Sequence, residues 1–240
     1  MTFCVGIKVN EGIVALADTR IVRGSEHTNK RKLAEFQHKG QSLFTMTSGL
    51  RSVRDKTLTY VDEVLRSEDT VRDRLYHFAN LFGDQLRRVK QEDGPSLAMS
   101  NLAFNLHAII GGKLRSDESP QLFYVYPEGN WVETNVDSPY FLLGRTYYGK
   151  PILDRLLTSQ TSLKSAIALA VLAFDATRTS VTDVDYPIDV AVFSNNALAP
   201  SFQRYTEADL TETIGHWTSS LRQSLESLPM DWASPLTSTM

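Results

Sequence analysis

The opening of this chain constrains its fold more than any other stretch. Phe3, Val5, Ile7 and Val9 alternate with Cys4, Gly6 and Lys8, the period of a half-buried β-strand. Asn10-Glu11-Gly12 reads as a short turn, and residues 13–17 form a compact apolar run. Two strands joined by so tight a turn are antiparallel. The end of the second strand then returns to the start of the first, which predicts that Asp18 lies close to Thr2.

Residues 19–29 read as a polar loop, 32–36 as a third strand and 42–47 as a fourth. In a strand Lys30 and Lys32 would share one face while Arg31 points away. Ser48-Gly49 is expected to open a helix carrying Val53, Leu58, Val61 and Leu65 on one face. A second helix, with Val71, Leu75, Phe78, Phe82, Leu86 and Val89, is expected to stop before Gly94-Pro95. Strands follow at 103–110, 121–126, 131–133 and 140–143, with Pro127-Glu128-Gly129-Asn130 as a turn. Helices are expected at 149–157 and 162–177. The second is apolar almost all round over 167–174, which predicts cover on both sides. A last strand at 187–193 precedes a closing helix that carries Ile214, Trp217, Leu221, Leu225 and Leu228. Hairpin-linked strands with helices in pairs predict an α+β fold of antiparallel sheets under helical outer layers.

At 240 residues, 42% of them apolar, the chain suits a single domain over 1–240. A helical extension at about 209–229 and a short flexible tail would close it. The net charge of −3 points away from nucleic acid and membrane surfaces. The single cysteine, Cys4, excludes an internal disulfide and a cysteine metal cluster, and it fits a reducing cytoplasm. The start does not read as a signal peptide, and no apolar run approaches the roughly 18 residues of a membrane helix. The five histidines show no metal-ligand spacing. No helix opens on a Gly-rich phosphate loop, and no Gly-x-Ser-x-Gly elbow occurs. Neither cofactor nor metal is expected.

The chemistry then centres on Thr2. Removal of Met1 would give Thr2 a free α-amine beside its own hydroxyl, so that a base of reference pKa near 8 sits next to a nucleophile. Lys32 would supply positive charge beside the hydroxyl oxygen, with Lys30 as its rival. A half-buried Asp18 needs a cation and would orient Lys32 in return, while Arg20 could compete for that carboxylate or brace it. Gly49, at a helix start, would offer its backbone N–H to a developing oxyanion. The ordinary readings of the same residues are a residue after Met, a solvated lysine, a strand-end aspartate and a turn glycine.

Thr2, Ala17-Asp18-Thr19-Arg20, Lys32-Leu33 and Thr47-Ser48-Gly49-Leu50 resemble the proteasome β-subunit superfamily. Gly144-Arg145-Thr146-Tyr147-Tyr148-Gly149-Lys150-Pro151-Ile152-Leu153-Asp154, Phe174-Asp175-Ala176-Thr177 and Pro187-Ile188-Asp189 are similar to its bacterial Anbu branch, the ancestral β subunit. The closing helix, ending near Leu228-Pro229, also resembles that branch. The resemblance implies a four-layer αββα sandwich of the N-terminal-nucleophile hydrolase type. It implies a threonine peptidase acting on peptides or unfolded protein, self-assembled as a ring or an open helix; no docking motif here tells whether an ATP-dependent unfoldase is a partner. It adds Asp175 and Ser180 to the site, with Thr179, Thr182 and Asp183 as rivals. Where proteasome subunits carry a serine between two glycines this chain has Gly144-Arg145-Thr146, and Thr146 is the stand-in. The alternatives are a catalytically silent scaffold and an amidase acting on a small molecule.

Overall fold

In the computed structural model β1 (Phe3–Val9) and β2 (Gly12–Asp18) form the expected hairpin, with Cys4 opposite Ala17. Residues 2–24, 26–67, 72–197 and 199–237 are described. Met1 lies outside them, and so does Val71 of the expected second helix.

The stretch expected as a loop is a small antiparallel ribbon, β3 (Arg20–Arg23) with β4 (Glu26–Asn29). All four residues of β4 are exposed, so no apolar alternation announced it. β5 (Leu33–His38) and β6 (Gln41–Gly49) pair next. Lys30 and Lys32 precede β5, so the shared-face argument fails for them. Gly49 ends a strand and does not open the helix, since α1 (Arg51–Ser67) begins two residues later.

Helix α2 (Leu75–Met99) runs through Gly94-Pro95 instead of stopping there. Proline forfeits one helical hydrogen bond, and the packing of Leu97 beyond it against the apolar core holds the last turn in place. The start of α2 is fixed from far along the chain. Asp117 Oδ2 accepts the Leu75 N–H at 3.0 Å.

β7 (Leu106–Gly112), β8 (Gln121–Val125) and β9 (Trp131–Glu133) complete a five-stranded sheet in the order β5-β6-β7-β8-β9. β10 (Tyr140–Gly144), α3 (Lys150–Leu156), α4 (Leu163–Arg178), β11 (Ile188–Ser194) and β12 (Ser201–Tyr205) follow. The last of these strands was not expected from the sequence. The other five-stranded sheet runs β10-β1-β2-β11-β12. Every pairing in both sheets is antiparallel.

Two apolar cores define the layers. Cys4, Ala15, Ala17, Phe44, Met46, Ile109 and Leu122 meet between the sheets. Val53, Val61, Phe78, Phe82 and Leu86 of the first helix pair pack on Leu106, Ala108, Ile110 and Phe123. On the far face Phe3 meets Phe174 of α4, with ring centroids 6.2 Å apart. β1 is therefore covered on both faces, not half-buried. Helix α4 buries Ala166, Thr177 and all of 169–175, whereas Ile167 is half-buried and Ala168 exposed, so the cover expected over 167–174 holds from Leu169 onward. The architecture is the αββα sandwich of two antiparallel sheets.

The chain divides into two compact units, Met1–Tyr205 and Thr206–Met240. The second holds α5 (Glu207–Glu226), whose first turn is closed by a reciprocal capping box between Thr206 and Asp209. Among the described residues, no helix is long and apolar enough to cross a membrane.

Candidate active site

The site is built where β1 begins, β2 ends and the chain enters β5. The hairpin register sets Asp18 beside the first residues of β1, and its Oδ1 accepts the Phe3 N–H at 2.8 Å. Asp18 Oδ2 accepts the Arg20 N–H at 3.1 Å. Lys32 Nζ donates to both carboxylate oxygens, at 2.7 and 2.8 Å. The Asp18 side chain is fully buried and that of Lys32 is 4% exposed, so this is an ion pair removed from water. Burial pushes the Asp18 carboxyl up, and the Lys32 ammonium with the two backbone N–H groups pulls against that shift.

Thr2 is buried at the edge of this pair. Its carbonyl accepts the Arg145 N–H at 2.8 Å, which ties it to the end of β10. Gly144 makes that approach possible. It sits at φ +82°, and a Cβ there would lie 1.8 Å from the Thr2 carbonyl oxygen. Gly49 is constrained in the same way, at φ +143°, with the Asn105 carbonyl 2.2 Å from where a Cβ would be.

Arg20 braces Asp18 through its backbone and sends its guanidinium to Asp185, so it does not compete for the carboxylate. Lys30 is exposed, its N–H held by the Thr19 carbonyl, and Lys32 alone of the two takes the buried position. Asp175 is buried at the end of α4, with Oδ1 3.2 Å from Arg178 Nη2. The Ser180 hydroxyl is exposed and donates to the Ala176 carbonyl. Thr179 likewise turns its hydroxyl back to the helix, and Thr182 is exposed. Thr146 accepts the Lys150 N–H through its carbonyl as the chain enters α3. Asp183 binds Arg145, with Oδ2 2.9 Å from Nη2. This ion pair was not foreseen, because its two halves lie 38 residues apart with no shared motif.

A cavity of about 220 Å³ opens beside Lys32 between β5, β6 and α1, lined in part by Lys30, Thr45, Thr47, Arg54 and Leu58. A larger one of about 640 Å³ lies at the opposite strand ends, between Gly40, Lys113 and Asn195, away from the Asp18–Lys32 pair. Among the described residues no group of three or more His, Cys, Asp or Glu side chains is placed to hold a metal.

An acceptor-saturated carboxylate, a buried ammonium and a hydroxyl residue one step from the same amide can stabilise an alkoxide. Solved structures carry the same architecture. An Anbu variant from Hyphomicrobium sp. strain MC1 is 29% identical, with a TM-score of 0.86 over 95% of this chain and 98% of that one. Anbu from Yersinia bercovieri is 27% identical, with a TM-score of 0.84 over 95% and 97%. The helical assembly of the Anbu complex from Pseudomonas aeruginosa is 29% identical, with a TM-score of 0.86 over 95% and 97%. No curated protein matches significantly. The family model described as proteasome subunit matches residues 2–193, most of the chain and every element that builds the site. By that match, and by its Anbu-like fold, the chain belongs to the proteasome subunit family.

Proposed function

We propose that this protein is a threonine hydrolase of proteasome type, a peptidase that cleaves amide bonds through an acyl-enzyme on Thr2 once Met1 is removed. The observation that carries this reading is the buried Asp18–Lys32 pair anchored on the amide next to Thr2. Burying two charges is costly, so the pair is weak evidence of stabilisation and fits a part in chemistry at the neighbouring Thr2. The α-amine takes the Thr2 hydroxyl proton as the oxygen attacks the substrate carbonyl. That proton passes to the leaving amine, and water then cleaves the ester. Lys32 lowers the cost of the alkoxide, and Asp18 keeps Lys32 charged and aimed. Gly49 offers its N–H to the oxyanion. The cavity beside Lys32 supports the reading, because it is sized for one substrate side chain. Asp175 and Ser180 enter as supporting residues on the resemblance alone, and they stand at the end of α4 bonded to Arg178 and to the Ala176 carbonyl.

Copies of the chain assemble with one another, a reading supported by the helical assembly of the related complex from Pseudomonas aeruginosa, and the single cysteine fits a cytoplasmic setting. Thr2→Ala should abolish both peptide turnover and the mass adduct left by a β-lactone, while the melting temperature stays unchanged. Turnover retained in that variant rejects the mechanism. A parent protein lacking Met1 that forms no adduct favours a silent scaffold.

A further inference from the structure

The ion pair between Arg145 and Asp183 crosses the end of the sheet where Thr2 stands. In the order β10-β1-β2-β11, Gly144 lies opposite Phe3 and Asp18 lies opposite Ile188. One residue beyond that row, the Arg145 N–H meets the Thr2 carbonyl, and the Thr19 N–H meets the Pro187 carbonyl. Arg145 thus leaves one outer strand and Asp183 leads into the strand on the other side, with β1 and β2 between them. Three strand spacings amount to about 14 Å. The short route across that gap passes the end of β1.

The guanidinium makes a two-pronged contact, Nη2–Oδ2 at 2.9 Å and Nε to both oxygens at 3.3 Å. The Asp183 side chain is 14% exposed. Burial pushes its carboxyl up, but the Arg145 guanidinium outweighs that and holds it below the usual range. The charges at the neighbouring strand ends and at the end of α4 are paired as well. Asp18 holds Lys32, Asp185 holds Arg20, and Asp175 holds Arg178. The Tyr148 phenol stands beside Arg145 on the same loop.

We propose that Arg145 and Asp183 are positioning residues that form an electrically neutral strap over Thr2, fixing its backbone and leaving its α-amine free of net bias. This rests on the reading of Thr2 as the reacting residue. The strap makes a prediction that a purely structural tie does not. Removing the cation exposes the amine to the Asp183 carboxylate, which favours the ammonium. Removing the anion exposes it to the guanidinium, which favours the free base. The two changes should move the amine in opposite directions.

The test uses the full chain released from a cleavable leader so that it begins at Thr2. Its α-amine is methylated with carbon-13 and titrated by NMR. Arg145→Gln should raise the amine pKa and Asp183→Asn should lower it, each by on the order of half a unit. Arg145→Lys should stay near the parent. Shifts below about 0.2 unit in both single variants, or shifts of the same sign, overturn the strap. Should Arg145→Gln fail to fold, Asp183→Asn against Arg145→Lys carries the comparison. A β-lactone adduct on Thr2 of the parent is scored separately. Opposed shifts without an adduct reject the hydrolase and keep the strap, whereas an adduct without the shifts rejects the strap alone.

Discussion

Replacing Lys32 with methionine tests the core of the site, because it removes the ammonium while keeping much of the side-chain volume. Asp18 would then be a fully buried carboxylate with two backbone donors in place of four hydrogen bonds. Breaking a buried pair from one side costs about 3–5 kcal/mol. For a chain of this size that corresponds to a fall in melting temperature of roughly 6–20 °C. The cost should depend on pH with a defined sign. Burial already raises the Asp18 carboxyl, and Lys32 is the main influence opposing it, so its loss raises the carboxyl further. A carboxyl raised in the folded state contributes stability that is fully present below its unfolded pKa, near 3.9, and lost as pH rises through the folded value. The variant should therefore come closest to the parent in acid and fall furthest behind at neutral pH. Asp18→Asn combined with Lys32→Met should cost less than the sum of the two single changes. The assay is urea unfolding across pH 4–8 on the parent, both singles and the double. A loss below about 1 kcal/mol, or additive singles, would refute the claim that the pair is mutually required.

Gly144→Ala should be destabilising by about 1–2 kcal/mol from its positive φ alone, and more from the clash with the Thr2 carbonyl. Denaturant melts should show that loss together with slowed lactone labelling. Between α1 and α2, Lys56, Tyr60 and Arg88 all bind Glu92, which holds its carboxyl at about 2. A lowered carboxyl contributes above its unfolded pKa and loses that contribution as pH falls through the folded one, so α1 amide protection should decline between about pH 4.5 and 2. Glu92→Gln should flatten that decline, as hydrogen exchange would show. Cys4 is fully buried, and burial drives its thiol far above the usual range, so iodoacetamide should label it only after unfolding.

The amino-acid sequence by itself determined the hairpin, the α1, α4 and α5 helices, the antiparallel class and the neighbourhood of Thr2 and Asp18. These rest on local periodicity and on a turn too short to allow any other pairing. It also singled out Lys32, although by the wrong route. Strand facing sets Lys30 and Lys32 together against Arg31, and neither lysine lies in a strand. Tertiary structure decided between them, because a single ammonium can reach the dry pocket behind Asp18 while the other stays in water. It also decided where α2 begins, through a carboxylate 42 residues away, and carried that helix past Pro95 by packing. The ribbon pairs half-buried residues of β3 with a fully exposed β4, so it lacked a buried face to betray it. Arg145 and Asp183 meet only because four strands bring two distant loops to one end of a sheet. Local pattern records what each segment buries. Which charges meet is set by strand order, and strand order exists only once the two sheets have packed.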